Sequence, residues 1–175
     1  MSVTADCINT RSIRGRNATP LPVIEAVKQV FGGYIDLDVA SDEIINQEVK
    51  ANRILTFEDD SFQYDWVALN AFLNAPGSTV TGGTYADRYY WLHELQKPPA
   101  QRGEQPKDVR SVSAATWYRK LYHHWTEGHI DHAIALVYRG GSIGSLGKNI
   151  LQDATICITC SGVESPAING SGRFS

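Results

Sequence analysis

Hydrophobic and polar positions follow two periods in the first part of the chain, and these periods predict helices and strands in turn. Residues 19–33, TPLPVIEAVKQVFGG, carry apolar side chains at helical spacing between a Thr-Pro start and a Gly-Gly stop, with the threonine as the expected cap. Residues 34–41, YIDLDVAS, alternate apolar and acidic side chains, which predicts a short strand. Residues 41–55, SDEIINQEVKANRIL, return to a helical period after Ser41 or Asp42 as cap. The plausible buried positions of this second helix are Ile44, Ile45, Val49 and Ala51.

Two further strands are predicted before the middle of the chain. Residues 54–62, ILTFEDDSF, suit a strand followed by an acidic turn. Residues 66–78, WVALNAFLNAPGS, suit a short turn and then a strand that runs to Asn74. Strand, helix and strand in this order, with acids and small residues after the strands, indicate an α/β layered domain.

The periodicity breaks down over residues 79–113. This stretch begins with glycines, passes through an aromatic cluster and ends in polar sequence with Pro, Gln, Lys and Arg. We predict a loop insertion here, because no period of either kind is sustained. A loop of this length in a compact domain is usually functional or disordered, and both readings stay open: a target-recognition element or a disordered insertion.

Regular patterns return in the last third of the chain. Residues 113–128, SAATWYRKLYHHWTEG, predict a helix, and residues 129–140, HIDHAIALVYRG, predict a buried strand. Residues 155–160, TICITC, suit another strand, and residues 170–175, GSGRFS, suit the beginning of one. The second half therefore continues the α/β pattern of the first.

Length, composition and charge narrow the class of protein. The 175 residues, 42% hydrophobic and 20% charged, suit one globular domain over residues 19–175. Residues 1–18 are polar without a period, which predicts a flexible N-terminal arm. No apolar run reaches the roughly 20 residues of a membrane span, and no signal peptide is evident. The net charge of -3 is no nucleic-acid signature, although a local basic surface is compatible with it. Three cysteines suit a reducing compartment, so we expect the cytoplasm.

Four histidines and a Cys-x-x-Cys pair raise the alternative of a structural zinc site. The residues concerned are His123, His124, His129, His132, Cys157 and Cys160. TICITC reads as a strand and lacks the turn residues of a zinc knuckle, and a spacing of three puts His129 and His132 on opposite faces of a strand. We therefore predict no metal, with both cysteines as core or edge thiols.

Two predicted strand ends carry side chains suited to ligand binding. Ligands of α/β sheets gather beyond the carboxyl ends of the strands. The first end offers the carboxylates of Asp36 and Asp38 beside small residues, and such an acid often accepts hydrogen bonds from ribose hydroxyls or an amine. The second offers the amide of Asn74, whose carbonyl can accept a hydrogen bond from an exocyclic amine, with backbone held by Pro76 behind it.

These elements stand in an order that resembles a known family. A Thr-Pro pair that opens a helix is followed by IDLDVAS, VKANRILTFEDDSFQYDW and FLNAPGS. The order resembles the phage-type DNA N6-adenine methyltransferases, with their Thr-Pro pair, DLDPAS-like element, Asp-Asp turn with a downstream Trp, and Asn-Pro-Pro-Tyr or Asn-Pro-Pro-Gly motif. TWYRKLYHHWTEGHIDHAIALVYRGGSI is similar to the family's Trp-containing helix and Gly-x-(Ile/Val)-x-x-Ala-Ile strand, and GSGRFS to its Gly-Arg-x-x-Phe strand. The resemblance covers residues 19–78 and 114–174; each motif is weak alone, and their order and spacing together are fairly specific.

The resemblance implies a fold, a reaction and a set of residues. The fold is an α/β Rossmann-like methyltransferase sheet flanked by helices; since the chain ends at Ser175, one expectation is that the sheet lacks its final C-terminal strand. The reaction is methyl transfer from S-adenosylmethionine to the exocyclic N6 amine of adenine in double-stranded DNA, by a phage or prophage enzyme in a bacterial host cell. Asn74 and the carbonyl of Ala75 would hold the amine, and Pro76 and Gly77 would shape the floor. The residues that would lie near the cofactor are Thr19, Pro20, Asp36, Asp38, Ala40 and Ser41, while Asp59 and Asp60 would lie near the adenosine or the target amine.

The sequence departs from the family pattern at two prolines. Ala75 and Val39 stand where the family has Pro, although no side chain that takes part in the chemistry is lost. Gly77 matches the Asn-Pro-Pro-Gly subset, so a ring that stacks on the base must come from elsewhere, with Tyr85, Tyr89, Tyr90 and Trp91 as candidates. Two alternatives stay open: a catalytically degraded DNA- or cofactor-binding module of the same fold, and an enzyme of this fold that acts on RNA or on a protein amide nitrogen.

Overall fold

A computed structural model describes residues 19–138, 148–154 and 158–160, and every structural statement below refers to these residues. The predicted N-terminal arm, the first half of TICITC and the predicted strand at GSGRFS lie outside them. Within the described part, no helix is long and apolar enough to cross a membrane.

The described residues contain five α-helices, seven strands and two short 3-10 helices. The helices are α1 (Leu21–Val30), α2 (Glu43–Val49), α3 (Tyr85–Glu94), α4 (Ala114–Thr126) and α5 (Lys148–Asp153). The strands are β1 (Leu37–Asp38), β2 (Arg53–Ile54), β3 (Ala68–Asn74), β4 (Ser78–Thr81), β5 (Arg110–Ser113), β6 (Ile130–Tyr138) and β7 (Ile158–Cys160). The 3-10 helices are Ser61–Gln63 and Pro99–Gln101.

Five of the strands form one parallel sheet in the order β2-β1-β3-β6-β7. The central pair is β3 with β6, which runs in register from Ala68 opposite Ile130 to Asn74 opposite Leu136. The short β1 lies on the other side of β3, with Asp38 opposite Phe72. The predicted α/β class with a helix-flanked sheet is therefore confirmed.

The two faces of β3 pack against different helices, because its side chains alternate between the faces. Ala71 and Leu73 belong to a buried cluster with Trp66 and with Trp117 and Leu121 of α4. Phe72 belongs to a second cluster, with α1 and α2. The members from these two helices are Val23, Ile24, Val27, Ile45 and Val49. The sheet is thus a middle layer, with α1 and α2 on one face and α4 on the other.

Helix α1 starts one residue later than the sequence suggested. Pro20 is the N-cap residue, and the expected cap, Thr19, makes no capping hydrogen bond. Pro22 fits the first turn, where the missing N–H has no helical partner. Gly33, with φ of 113°, donates its N–H to Lys28 O at 2.7 Å and closes the helix in a conformation that favours glycine. The hydroxyl of Thr19 is instead directed to the end of β3.

Helix α2 is capped by Asp42, one of the two predicted caps, whose Oδ1 accepts the N–H of Ile45 at 2.8 Å. Ile45, Val49 and Ala51 are buried as predicted. Ile44 is 47% exposed, so its predicted burial was wrong: the apolar face of this two-turn helix is too narrow to include adjacent residues.

Replacement of Asp42 by alanine is expected to lower the free energy of unfolding by about 1 kcal/mol, because the N–H of Ile45 loses its acceptor. Urea denaturation measures the change. Glu43→Ala, in the same first turn but outside the cap, is the matched control and should change stability by a few tenths of a kcal/mol. Equal losses in the two variants would contradict the capping role.

The prediction of a loop over residues 79–113 was wrong, because this segment is built of regular elements. β4 and β5 form an antiparallel pair from Ser78 opposite Ser113 to Thr81 opposite Arg110, and α3 lies between them in sequence. A third cluster buries Val80, Val109, Trp91 and Leu92 against Phe57. Each strand has only four residues, too few for an alternating pattern to stand out, and α3 buries Arg88 and Glu94 beside its apolar residues.

Two histidines meet at the amino end of the sheet, where α4 leads into β6. His124 Nδ1 lies 3.0 Å from His129 Nδ1, so one ring donates to the other while at most one of them is charged. His124 is buried, and burial lowers its pKa, as do the neighbouring Lys120, His129 and His123, against an opposing effect of Asp65. The structure thus gives His124 a packing role. Among the described residues, no group of three or more His, Cys, Asp and Glu side chains is arranged to hold a metal.

This lowered pKa makes the stability of the protein pH-dependent. The unfolded chain binds a proton at His124 more readily than the folded chain does. The free energy of unfolding is therefore highest above the unfolded-state pKa of about 6.5, and it decreases as the pH falls toward the lower pKa of the folded state. Urea denaturation at pH 7.5 and at pH 5 should show the loss, and His124→Gln should reduce it. The same pH dependence in wild type and His124→Gln would contradict this assignment.

Candidate functional site

The direction of strand addition reverses between β1 and β3. The chain places β2 on one side of β1, and then β3, β6 and β7 in succession on the other. Loops that leave two adjacent parallel strands in opposite directions open a crevice at the carboxyl edge of the sheet, which is the usual ligand site of open α/β sheets. Both predicted strand ends, after Asp38 and after Asn74, border this crevice.

A hydrogen bond joins the end of β3 to the start of α1. Asn74 Nδ2 donates to Thr19 Oγ1 at 3.0 Å, across 55 positions of sequence. Thr19 is buried and Asn74 is partly exposed at the edge. Asn74 shares a face with Phe72, two residues earlier, so its side chain is on the α1 side of the sheet. The bond turns Nδ2 toward Thr19 and holds the amide of Asn74 at the end of β3.

The end of β1 brings a buried carboxylate to the same crevice. Asp38 is 2% exposed, and its Oδ1 accepts the N–H of Ala40 at 3.2 Å. Ala40 and Ser41 follow with small, buried side chains. Pairing continues past the strand, since Val39 donates its N–H to Phe72 O at 3.2 Å. The segment is therefore held tightly, with small side chains at the end of β1.

Asp36 does not join Asp38 at this edge. Its Oδ2 accepts from Arg53 Nη2 at 3.2 Å and from the N–H of Leu69 at 3.0 Å, both toward the amino end of the sheet. The sequence predicted that Asp36 and Asp38 would both lie at the ligand site. In the structure only Asp38 lies at the carboxyl edge, because Asp36 is two residues nearer the amino end of the sheet. The structure gives Asp36 an anchoring role between β1, β2 and β3.

Asp59 and Asp60, which follow β2, differ although they are adjacent and chemically identical. Asp59 is exposed, and its Oδ2 accepts from the N–H and the hydroxyl of Thr56, each at 2.8 Å. Asp60 is buried and has a positive φ of 56°, which turns its side chain away from that of its neighbour. Asp59 therefore remains at the carboxyl edge, and Asp60 points to the 79–113 segment.

Both oxygens of Asp60 are occupied by that segment. Oδ1 accepts from Thr81 Oγ1 at 2.6 Å, and Oδ2 accepts from the N–H of Gly82 at 2.6 Å. Arg88 Nη1 lies 3.7 Å from Oδ2, with both side chains about 95% buried. Arg88 also donates to the carbonyls of Gly83, Phe57 and Glu58. Asp60 and Arg88, which we call the latch, hold α3 and the β4-β5 pair against the acidic turn.

The loop after Asn74 is fixed by burial on one side and open on the other. Ala75 packs in the first cluster, and Pro76 is buried. Gly77 is exposed, and a Cβ atom built on it would meet no atom of the described residues within 4 Å. The loop thus holds the backbone beyond Asn74 in place. Pro20, the last of the predicted site residues, is exposed beside Thr19.

Sequence reasoning missed Lys120, which braces the same region from α4. Its ammonium donates to the carbonyls of Ser61, Phe62 and Tyr64 at 2.7–3.2 Å. Burial lowers the pKa of Lys120, and the negative charges of nearby Asp65 and Asp60 partly offset this lowering. The helical period identified α4 but gave no signal for this contact, nor for Arg88, because both form across long sequence separations.

The crevice combines an amide acceptor, a buried carboxylate, an exposed carboxylate and small side chains. Such a set can bind a ligand that has hydroxyl or amine donors. The comparisons with known proteins add no assignment: no family model matches the chain, and neither a curated protein nor a solved structure matches it.

Proposed function

We propose that this chain is an S-adenosylmethionine-dependent DNA methyltransferase with a Rossmann-like sheet, which acts on the exocyclic N6 amine of adenine. The observation that carries the proposal is the hydrogen bond from Asn74 to Thr19. It joins the Thr-Pro element and the Asn-Ala-Pro-Gly element at the topological switch point, beside Asp38. Two elements of the family resemblance thus meet where an α/β sheet binds its ligand.

Asn74 is the residue we assign to the target amine. In the proposed complex its Oδ1 accepts a hydrogen bond from the N6 amine, while Nδ2 donates to Thr19. The Ala75 carbonyl, on a segment buried in the first cluster, is the second acceptor. Two fixed acceptors orient the amine lone pair toward the methyl donor and stabilise the positive charge that develops on nitrogen during transfer.

We assign the residues at the ends of β1 and β2 to the cofactor. S-adenosylmethionine supplies an electrophilic methyl group on sulfonium sulfur, and it carries ribose hydroxyls and an ammonium group as donors. Asp38 lies with small side chains at the end of β1, and Asp59 is exposed after β2, at the position where a carboxylate in such sheets accepts ribose hydroxyls. Asp38 and Asp59 would hold the donors of the cofactor, and Ala40 and Ser41 would let it approach the backbone.

The proposal is tested by offering labelled S-adenosylmethionine with three acceptors: unmethylated duplex DNA, RNA, and a glutamine-containing peptide. We expect incorporation of label into DNA alone. Transfer to RNA or peptide would replace the proposed substrate class, since a fixed pair of acceptors activates planar amines generally. Cofactor binding without any transfer would support the degraded binding module in place of the enzyme.

A further inference from the structure

Ser61 joins the two segments that the proposed function assigns to the cofactor. Its hydroxyl donates to the carbonyl of Val39 at 2.7 Å, across 22 positions of sequence. Val39 directly follows Asp38 at the end of β1, and Ser61 comes two residues after Asp59, beyond β2. Ser61 is buried, and the proton of its hydroxyl is used inside the protein. The side chain therefore links the segment of the buried carboxylate to the segment of the exposed one.

The carbonyl of Ser61 is bonded as well. Trp66 Nε1 donates to it at 2.9 Å, and Lys120 Nζ of α4 donates to it at 3.2 Å. The ammonium of Lys120 also lies 5.0 Å from the centre of the Trp66 ring, which attracts the cation. Trp66 itself is fully buried in the first cluster. Ser61 is thus held through both its side chain and its backbone, and these hydrogen bonds lead to β1 and to α4.

The partner of the Ser61 hydroxyl, Val39, is itself firmly placed. Its side chain is fully buried, and its N–H donates to Phe72 O of β3 at 3.2 Å. On its amino side, the carbonyl of Asp38 accepts the N–H of Leu55, which follows β2, at 2.9 Å. The Ser61 hydroxyl therefore ties the acidic turn to backbone that the sheet already holds in place.

Asp59 is the acid of this turn that remains accessible. Both hydrogen bonds from Thr56 go to its Oδ2, so Oδ1 has no hydrogen-bond partner among the described residues. Asp60, the next residue, is anchored by the latch, and Ser61 follows with its bond to Val39. A carboxylate on a turn held on both sides can accept a hydrogen bond from a ligand without the entropic cost of ordering a loop.

We propose that Ser61 is a positioning residue of the cofactor site: through its bond to Val39 it sets the distance between the carboxylates of Asp59 and Asp38, so that both engage one ligand molecule. Side chains that bind a ligand are held in a productive geometry by hydrogen bonds of the residues behind them. Ser61 does not touch the ligand and acts through Asp59. The identity of the ligand, S-adenosylmethionine, rests on the proposed function, whereas the acceptor of the methyl group does not enter the inference.

Calorimetric titration of the folded protein with S-adenosylmethionine, without DNA, tests the inference. Ser61→Ala should raise Kd about three- to tenfold, which is the net contribution of one hydrogen bond expressed as a ratio of affinities. In the Asp59→Ala background the same change should raise Kd less than about twofold, because the residue through which Ser61 acts is absent. Asn46→Ala is the matched control: its side chain bonds to the backbone of Ala51, at the amino edge of the sheet, so this change should lower stability and leave Kd unchanged.

Urea denaturation gives the folded fraction of each variant. If Ser61→Ala does not fold, Lys120→Met, which removes one donor to the Ser61 carbonyl, is judged by the same criteria. A Kd within about twofold of wild type, an equal rise in Asn46→Ala, or an undiminished rise in the Asp59→Ala background would overturn the inference, since each would leave Ser61 with a structural role alone. Binding of S-adenosylmethionine without transfer to DNA refutes the proposed reaction and not the inference, whereas absence of binding by folded wild type refutes both.

Discussion

Replacement of Asn74 by alanine is expected to slow methyl transfer to DNA by about 10²–10³-fold, the usual effect of removing one fixed electrostatic partner of a transition state. In the proposed reaction Asn74 contributes the Oδ1 acceptor, and its 3.0 Å hydrogen bond to Thr19 helps to orient the amide. The affinity for S-adenosylmethionine should stay within a few-fold, because the two carboxylates that the proposal assigns to the donors of the cofactor, Asp38 and Asp59, are unchanged in this variant. Single-turnover rates and cofactor titrations measure the two quantities.

Asn74→Asp is the matched control for this prediction. A carboxylate oxygen can accept from the target amine, and the Thr19 hydroxyl can donate to the other oxygen, so this variant should retain far more activity than Asn74→Ala. Loss of the bond to Thr19 should cost about 1 kcal/mol of stability, and the folded fraction must be checked by urea denaturation. Equal transfer rates in wild type and Asn74→Ala would remove Asn74 from the chemistry.

Replacement of Asp60 by alanine is expected to lower the free energy of unfolding by about 3–5 kcal/mol, because it leaves the buried Arg88 without its counter-charge. It also removes the acceptor of Thr81 Oγ1 and of the Gly82 N–H. A loss of this size is a large part of the 5–15 kcal/mol that stabilises a typical domain. Thermal and urea denaturation should show it.

Asp59→Ala is the neighbouring control, since this exposed residue contacts only Thr56 among the described residues, and it should cost about 1 kcal/mol or less. In a double-mutant cycle, Asp60→Ala combined with Arg88→Met should lose less stability than the sum of the single changes, because the second change removes the unpaired charge. Equal losses for Asp59→Ala and Asp60→Ala, or strict additivity in the cycle, would contradict the latch.

Elements with a sustained period could be predicted from the sequence. α1, α4 and β6 each repeat their apolar pattern over at least two turns or four residue pairs, which is enough to define a buried face. The β4-β5 pair could not be predicted, because each of these four-residue strands buries only one or two side chains, for example Val80 in β4 and Val112 in β5. So few buried positions do not define an alternating pattern. The Thr-x-x-Asp sequence at Thr84 is a capping signal that would have located α3.

The sequence predicted which strand ends form the candidate site, but not which residues their side chains contact. The strand ends at Asp38 and Asn74 follow from the order of elements along the chain, and the parallel register brings them to one edge. Nothing in the sequence distinguishes Asp59 from Asp60, since the burial of Asp60 comes from its contacts with Thr81, Gly82 and Arg88, which are distant in sequence. The bonds from Thr19 to Asn74 and from Asp60 to Arg88 span 55 and 28 positions, and only the folded chain brings these residues together.

Methyl transfer to adenine is tested most directly by nucleoside analysis of unmethylated duplex DNA after incubation with the wild-type protein and S-adenosylmethionine. We expect N6-methyldeoxyadenosine to accumulate beyond one equivalent of enzyme, since release of the product restores the site. Cofactor binding by the folded protein without any methylated nucleoside, or with the methyl group on cytosine alone, would contradict this expectation.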